Sequence, residues 1–405
     1  MKVVFLSKFY PRSLRSYYLE NSKAGLAFAA DAHQYALASG LNNICPDFEI
    51  VNLPAVFPYP TRYRKIKENS SEIEEDGLKI HNVGFNNLLV IQHWSRYYRA
   101  KKKLKEIVDN TDDTLYIVIY STSLYSLRAA TEIKKKCDRI KLCMIVPDLP
   151  SDMRNKTLAG RISLFLNSIG YSSFESYCKE VDSFVLLTKY MIDGIPSSKN
   201  HFMVSEGVYD ENDSRRTIAY QDNNHFTILY SGTLNKRFGV MNLVDAIHGL
   251  GESDIQLHLY GVGDSVNSII EIAKTDRRII YKGSVSRDEV IQRQSEASLL
   301  VNPRIPDNNP FTKYSFPSKT MEYLASGVPT LIYELDGIPE EYYDYCYHLS
   351  NKETDVVSLQ KKILNIKNTP YQERKELSLR ARRFILTEKS SECVGQKIFS
   401  FLQTH

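Results

Sequence analysis

A chain of 405 residues is too long for one hydrophobic core and fits two α/β domains of ordinary size. Its near-balanced charge, +4 with pI about 8.5, is too mild for a protein whose main partner is nucleic acid, because binding a phosphate backbone needs a concentrated basic face. The six cysteines, Cys45, Cys137, Cys143, Cys178, Cys346 and Cys393, form no closely spaced pair, so neither a zinc site nor a disulfide framework is indicated and a reducing cytoplasm is expected.

At the N-terminus, only four apolar residues stand between Lys2 and Lys8, too few for a signal-peptide core, and no later run reaches the roughly 18 apolar residues of a membrane span. Residues 2–6 predict a buried strand. A loop rich in Tyr, Arg and Ser leads to Ala24 and Gly25, then to an apolar helix over about 26–39 closed by Gly40. Strands are expected near 48–52, 78–83, 114–120, 140–146 and 181–187. Alternating with helical stretches, they predict a parallel sheet covered on both faces.

Within that first half, residues 87–105 turn from apolar (Leu88, Leu89, Ile91, Trp94, Tyr97, Tyr98) to basic (Arg96, Arg99, Lys101, Lys102, Lys103, Lys105). Such a segment can rest on an anionic membrane surface, or it can be a core helix with a solvated basic end. Asp148 closes the strand 140–146 in a proline-rich turn. It falls at the carboxyl end of a strand, where open α/β sheets bind ligands, although an Asp before proline also simply makes turns.

Residues 211–225 are polar without period, as a linker would be. A second domain opens with the strand 226–231 running into Gly232, Thr233, the cations Lys236 and Arg237, and a helix from about 240. The amides of Gly232 and Thr233 with the two cations above them form a candidate diphosphate cradle. The next strand, 255–260, ends in Gly261 and Gly263, but Val266 stands where a dinucleotide fingerprint has its third glycine, which disfavours a nicotinamide enzyme. Strand 279–284, a helix over 287–296 and strand 298–302 follow. The loop 303–313 is stiffened by Pro303, Pro306 and Pro310 and carries Asn308 and Asn309, so it is expected to shape the ligand pocket.

That loop delivers the chain's most informative stretch, Tyr314 to Pro329. Ser315 is expected as N-cap, Pro317 near the first helical position, and Gly327 with Pro329 as the stop. Ser315, Ser318, Lys319 and Glu322 share one face, with Thr320, Met321, Leu324 and Ala325 on the buried one. A helix N-terminus with a lysine one turn in suits a phosphate, and a neighbouring carboxylate suits the hydroxyls of a ribose. The alternative is an ordinary surface Lys/Glu pair.

The run Phe316-Pro-Ser-Lys-Thr-Met-Glu-Tyr-Leu-Ala-Ser-Gly-Val-Pro329 resembles the nucleotide-sugar signature of the GT-B family 4 of retaining glycosyltransferases, notably its bacterial polysaccharide and capsule members. Glu322 matches the second glutamate of that family's pair, spaced eight apart, but the first falls on Tyr314. The resemblance implies two Rossmann-like domains with parallel sheets facing across a cleft. The first is expected over 1–207 on the acceptor side, with a C-terminal helix, 386–405, packing back on it, and the second over 208–385 on the nucleotide-sugar side.

It further implies transfer of a sugar from a nucleoside diphosphate sugar, UDP favoured and GDP possible, to a glycan or lipid-linked glycan hydroxyl. No metal or other cofactor is expected, and the cytoplasm, with peripheral contact at the inner membrane surface, is the expected location. Catalytic roles fall on Asp148, Arg237 and Lys319. Donor contacts fall on Gly25, Gly232, Thr233, Lys236, Gly261, Gly263, Lys282, Ser315, Phe316, Pro317, Ser318 and Glu322. Relatives carry arginine and lysine where this chain has Thr233 and Phe238, so Lys236 or Arg237 would take over. Two other readings stay open: a non-catalytic partner subunit that binds a nucleotide sugar or glycan, and a nucleotide-sugar epimerase.

Overall fold

A computed structural model describes residues 1–89, 91–149, 173–195, 201–210, 220, 225–306 and 312–404. The chain divides into two compact units, Met1–Asp210 with Ser390–His405, and Glu211–Lys389. Most of the linker read at 211–225 and the segment 307–311, with Asn308, Asn309 and Pro310, lie outside the described residues.

In the first unit, β1 (Lys2–Ser7), β2 (Phe48–Asn52), β3 (Ser71–Glu75), β4 (Leu78–Asn82), β5 (Leu115–Tyr120), β6 (Ile140–Val146), β7 (Ser183–Leu186) and β8 (Phe202–Val204) form one sheet in the order β3-β4-β2-β1-β5-β6-β7-β8. Every pairing is parallel except β3 with β4. The central strands β1 and β5 are buried along their whole length, which explains their unbroken apolar runs. Strand β3 escapes sequence reading because it carries one apolar residue, Ile73, among charges, the composition of a protected edge.

Four helices of this unit are α1 (Arg15–Asn21), α2 (Phe28–Ile44), α3 (Ile91–Asp109) and α4 (Leu124–Lys134). The expected loop before residue 24 therefore contains a short helix, and the expected stop at Gly40 does not occur. Gly40 serves instead as a crossing point for the chain's last helix, Ser391–Gln403. A Cβ on Gly40 would stand 1.9 Å from Ser391 O, and one on Gly395 2.4 Å from the Gly40 carbonyl carbon, so the two backbones touch. Val394, Ile398 and Leu402 of that helix join Leu37, Leu41 and the β1 side chains in one core.

In the second unit, β9 (Phe226–Ser231), β10 (Ile255–Tyr260), β11 (Ile279–Gly283), β12 (Leu299–Val301), β13 (Thr330–Tyr333) and β14 (Tyr347–Leu349) pair in parallel in the order β11-β10-β9-β12-β13-β14. This is the doubly wound order, and it reverses between β9 and β12, where such sheets bind ligands beyond their carboxyl ends. Its helices are α5 (Val240–His248), α6 (Val266–Thr275), α7 (Arg287–Ser295), α8 (Ser318–Ser326), α9 (Val356–Asn368) and α10 (Tyr371–Glu388); the last helix, Ser391–Gln403, is α11. Among the described residues no helix is long and apolar enough to cross a membrane.

Candidate functional site

The loops after β9 and β10 are laced together. Gly232 N–H donates to Tyr260 O at 2.9 Å, Leu234 N–H to Val262 O at 2.9 Å, and Ser265 N–H to Leu234 O at 2.9 Å. Side chains close the seam, since Lys236 N–H donates to Asp264 Oδ1 at 2.8 Å and Asp264 N–H to Asn235 Oδ1 at 3.0 Å. Gly261 is required here: its φ is +133° and a Cβ would lie 1.8 Å from Gly232 O. A Cβ on Gly263 would likewise stand 2.2 Å from Leu234 O. The cradle expected from Gly232 and Thr233 is corrected in one respect. The Gly232 amide is occupied by Tyr260, so of the two only that of Thr233 remains for a ligand.

Lys236 and Arg237 are exposed on a single turn of 3-10 helix that precedes α5. Gly239, at φ +76°, brings that turn against the Pro303 carbonyl, which would stand 2.0 Å from an added Cβ. The loop after β9 thus adjoins the loop after β12. From the latter, Arg304 is buried and donates from Nη2 to Ser315 Oγ at 3.0 Å.

This contact explains a second correction. Ser315 does not cap the helix that follows. Helix α8 starts at Ser318 with Pro317 as N-cap and no side-chain cap, while the Ser315 hydroxyl is engaged by Arg304. Phe316 packs its ring 5.3 Å from that of Tyr342 in the core, and Pro317 is buried beside it, so neither offers its side chain to solvent. Ser318 is exposed at the open first turn, with Lys319 half-buried one residue on.

Lys319 Nζ donates to Glu322 Oε1 at 2.9 Å, and Gln294 Nε2 donates to the same oxygen at 2.7 Å. Gln294 is fully buried at the end of α7 and also donates to Ser231 Oγ at 2.9 Å, while its own Oε1 is buried without a partner. Ser231, the last residue of β9, is clamped by Tyr323: its N–H donates to the Tyr323 hydroxyl at 2.9 Å, which lies 3.2 Å from the Ser231 carbonyl oxygen it can donate to. Burial holds that phenol far above its ordinary pKa, so it stays a neutral donor. Asn302, just past β12, donates to Thr320 Oγ1 at 3.2 Å. Both strands at the switch point are therefore tied to α8, which fixes a lysine, a carboxylate and free helix N–H groups beyond their carboxyl ends.

A cavity of about 310 Å³ lies elsewhere in this unit, on the sheet face between β10, β11 and α7. Lys282 is the one sequence-predicted residue that lines it, together with His258, Tyr260, Glu289 and Arg293. Burial, reinforced by Lys282 and Arg293, pushes the His258 imidazole down to about 4.

In the first unit, Asp148 sits exposed in the bend after β6, at the carboxyl end of the sheet. Gly25 is exposed three residues ahead of α2; a Cβ there would meet nothing within 4 Å, so no packing within the chain demands glycine. Gln294, Ser231, Tyr323, Arg304 and Asn302 were not singled out by sequence. They carry no spacing signal, and Gln294 stands in a helix of polar composition whose buried residues, Ile291, Gln294 and Ser295, include two polar ones. Among the described residues no cluster of His, Cys, Asp or Glu is arranged to hold a metal ion.

Residues 225–367 match the family model described as glycosyl transferases group 1. No curated protein sequence matches the chain. Among solved structures it is similar to sucrose-phosphate synthase from Thermosynechococcus elongatus (12% identity, TM-score 0.62, covering 100% of this chain and 99% of that one). It is also similar to Anabaena HepE in complex with UDP (12%, TM-score 0.61, 100% of both chains) and to the lipopolysaccharide outer core galactosyltransferase WaaB (14%, TM-score 0.62, 100% and 99%). At these identities the structures establish the fold, which is GT-B. The group 1 match lies within the second unit, the one that carries α8.

Proposed function

We propose that the second unit binds a nucleoside diphosphate sugar at the switch point between β9 and β12, and that the enzyme moves its sugar to a hydroxyl of a glycan or lipid-linked glycan in polysaccharide synthesis. The observation that carries this reading is the set Lys319, Glu322 and the uncapped first turn of α8, held rigid by Gln294 and Ser231. The diphosphate would accept hydrogen bonds from the helix N-terminus, Lys319 and the exposed Lys236 and Arg237. Glu322 would take the ribose hydroxyls. Cations placed where the diphosphate departs stabilise the charge that develops on it, so metal is not part of the proposal. Uridine is the favoured base, with guanosine second, and retention of anomeric configuration follows from the family that the 316–329 run resembles.

The acceptor is proposed to be met at the cytoplasmic membrane face. Supporting this, α3 turns Ile91, Trp94, Tyr98, Lys102 and Lys105 outward along one stripe; the first three are 47%, 53% and 60% exposed. An apolar and aromatic half followed by a basic half is the pattern of an interfacial helix on anionic lipid.

Titration calorimetry with UDP and GDP tests the donor site. Binding of either, with a matching rise in melting temperature, supports it by mass action. Absence of binding for both at millimolar concentration would remove it.

A further inference from the structure

The first unit carries a second cluster of cations, also at a switch point, because its strand order reverses between β1 and β5. Lys8, just past β1, donates from Nζ to Ser121 Oγ at 2.9 Å and Ser123 Oγ at 2.6 Å. These hydroxyls lie 3.2 Å apart. Ser121 follows β5 in the left-handed region, φ +92°, a strained conformation for a non-glycine residue. Ser123 is the N-cap of α4 but makes no capping bond; its hydroxyl faces Lys8 instead.

Behind them lies Arg96, 3% exposed, whose guanidinium donates to the Leu53 and Val56 carbonyls and, from Nη1, to the Tyr125 hydroxyl at 3.2 Å. Arg96 Nε is buried without a partner. Among the described residues neither cation makes a salt bridge within 4.0 Å; Arg96 lies over the Phe85 ring at 3.8 Å and its charge acts on the buried Glu68 carboxylate, whereas Lys8 is half-exposed. The field of the pair is visible on its neighbours. Burial alone would raise the Tyr125 phenol, yet Lys8 and Arg96 bring it below its ordinary value. His93, its ring 6.1 Å from that of Tyr125, is lowered by burial and then by the same two cations.

We propose that this cluster is an anion-binding subsite for the acceptor, so that the acceptor sugar carries a phosphate or a carboxylate. The anion accepts from Lys8 Nζ and the Ser121 and Ser123 hydroxyls. Tyr125, which already accepts from Arg96, donates its own proton to it, and Arg96 adds positive charge from behind. The assignment of this ligand as acceptor rests on the donor being held by the second unit; the anion site itself does not.

Calorimetry with glucose 6-phosphate, glucuronate, inorganic phosphate and glucose tests the subsite, with UDP titrated separately. The expected result is binding of an anionic sugar at least about tenfold tighter than glucose, weakened by salt, as one charge-assisted contact would give. Tighter glucose 6-phosphate assigns a phosphate, and tighter glucuronate a carboxylate. Lys8→Met should abolish that preference, Lys8→Arg should restore part of it, and UDP affinity should be unchanged in both. Should Lys8→Met fail to fold, Ser123→Asp, which places a negative charge in the same position, should produce the same loss. UDP binding with no preference for any anion over glucose would overturn the subsite and leave the donor site standing. Anion binding without UDP binding would uphold the subsite and remove the donor site.

Discussion

Gln294 Nε2 lies 2.7 Å from Glu322 Oε1, and this one hydrogen bond joins the end of α7 to the face of α8 on which Lys319 also sits. A buried amide that orients a partly buried carboxylate fixes where that carboxylate meets a ligand. Gln294→Leu keeps the volume and removes the donor, leaving Glu322 with one partner fewer and Ser231 Oγ unsupported. The expected cost is about 1–3 kcal/mol of stability and, because Glu322 loses its orientation, about a tenfold weaker UDP affinity. Melting curves and calorimetry on the variant check it; unchanged UDP affinity would show that Gln294 does not position the donor site.

The glycines separate backbone need from accident. Gly261→Ala forces a methyl to within 1.8 Å of the Gly232 carbonyl oxygen at a φ of +133°, so a loss of more than about 2 kcal/mol is expected, with UDP binding reduced as the laced loops part. Gly25→Ala meets open space at an ordinary φ and should leave the melting temperature within a degree or so of wild type. Equal melting temperatures for the two variants would contradict the geometry of the loops after β9 and β10.

Two histidines, His33 and His258, are pushed by burial from 6.5 to about 4 in the folded chain, one in each unit. For a base whose folded pKa is depressed, the unfolded chain takes up the proton first as pH falls. Their neutral burial therefore contributes full stability above about pH 6.5 and loses it progressively toward pH 4. Melting temperature should fall already between about pH 6.5 and 5, before most carboxylates protonate. His258→Gln should flatten that part of the profile, and a slope identical to wild type would show that His258 is not buried neutral.

Much of this fold was legible because parallel strands buried on both faces read as apolar runs: β1, β2, β4, β5, β6, β7 and β9 to β12 lie where those runs stand. What sequence missed was decided by contacts distant in the chain. Gly40 looked like a helix stop, but α11 arrives from the far terminus to use it as a crossing point. Ser315 looked like a cap, but Arg304 takes its hydroxyl. The abundance of tyrosine finds a partial reason in the core, where Tyr18, Tyr63, Tyr323, Tyr333 and Tyr342 are fully buried, and Tyr323 uses its hydroxyl to hold the end of β9. At the candidate site, Lys319 and Glu322 announced themselves by spacing. Gln294 and Ser231, which hold them, could not, because a buried polar network leaves no periodic trace.

The outward stripe of α3 predicts lipid binding. Trp94 and Tyr98 stack at 6.3 Å and are both more than half exposed, while Lys102 continues the same stripe. Wild type should co-sediment with vesicles rich in anionic lipid at low salt and much less with neutral ones. Trp94→Ser with Tyr98→Ser should lose that binding and keep UDP affinity and melting temperature. No difference between anionic and neutral vesicles would remove the membrane proposal without touching the donor site.

Lys319 and Glu322 share one hydrogen bond yet are proposed for different parts of the reaction, and their variants should separate. If Lys319 acts on charge that develops as the diphosphate departs, its contribution is larger in the transition state than in the bound donor, so Lys319→Ala should lower the single-turnover rate more than it weakens donor binding. Glu322 meets ribose hydroxyls that do not change during the reaction. Glu322→Ala should therefore weaken the donor and leave the rate at saturation close to wild type. Neither change should unfold the protein, because the core side of α8 is held by Met321, Tyr323 and Leu324, all buried. The direct pair between them confuses the reading in one way: removing Glu322 also frees Lys319, which can then pair more fully with the diphosphate and mask part of the loss. The double variant resolves this. Losses that simply add assign each residue its own contact with the donor, whereas a double variant no worse than Lys319→Ala alone would mean that Glu322 serves only to hold the lysine.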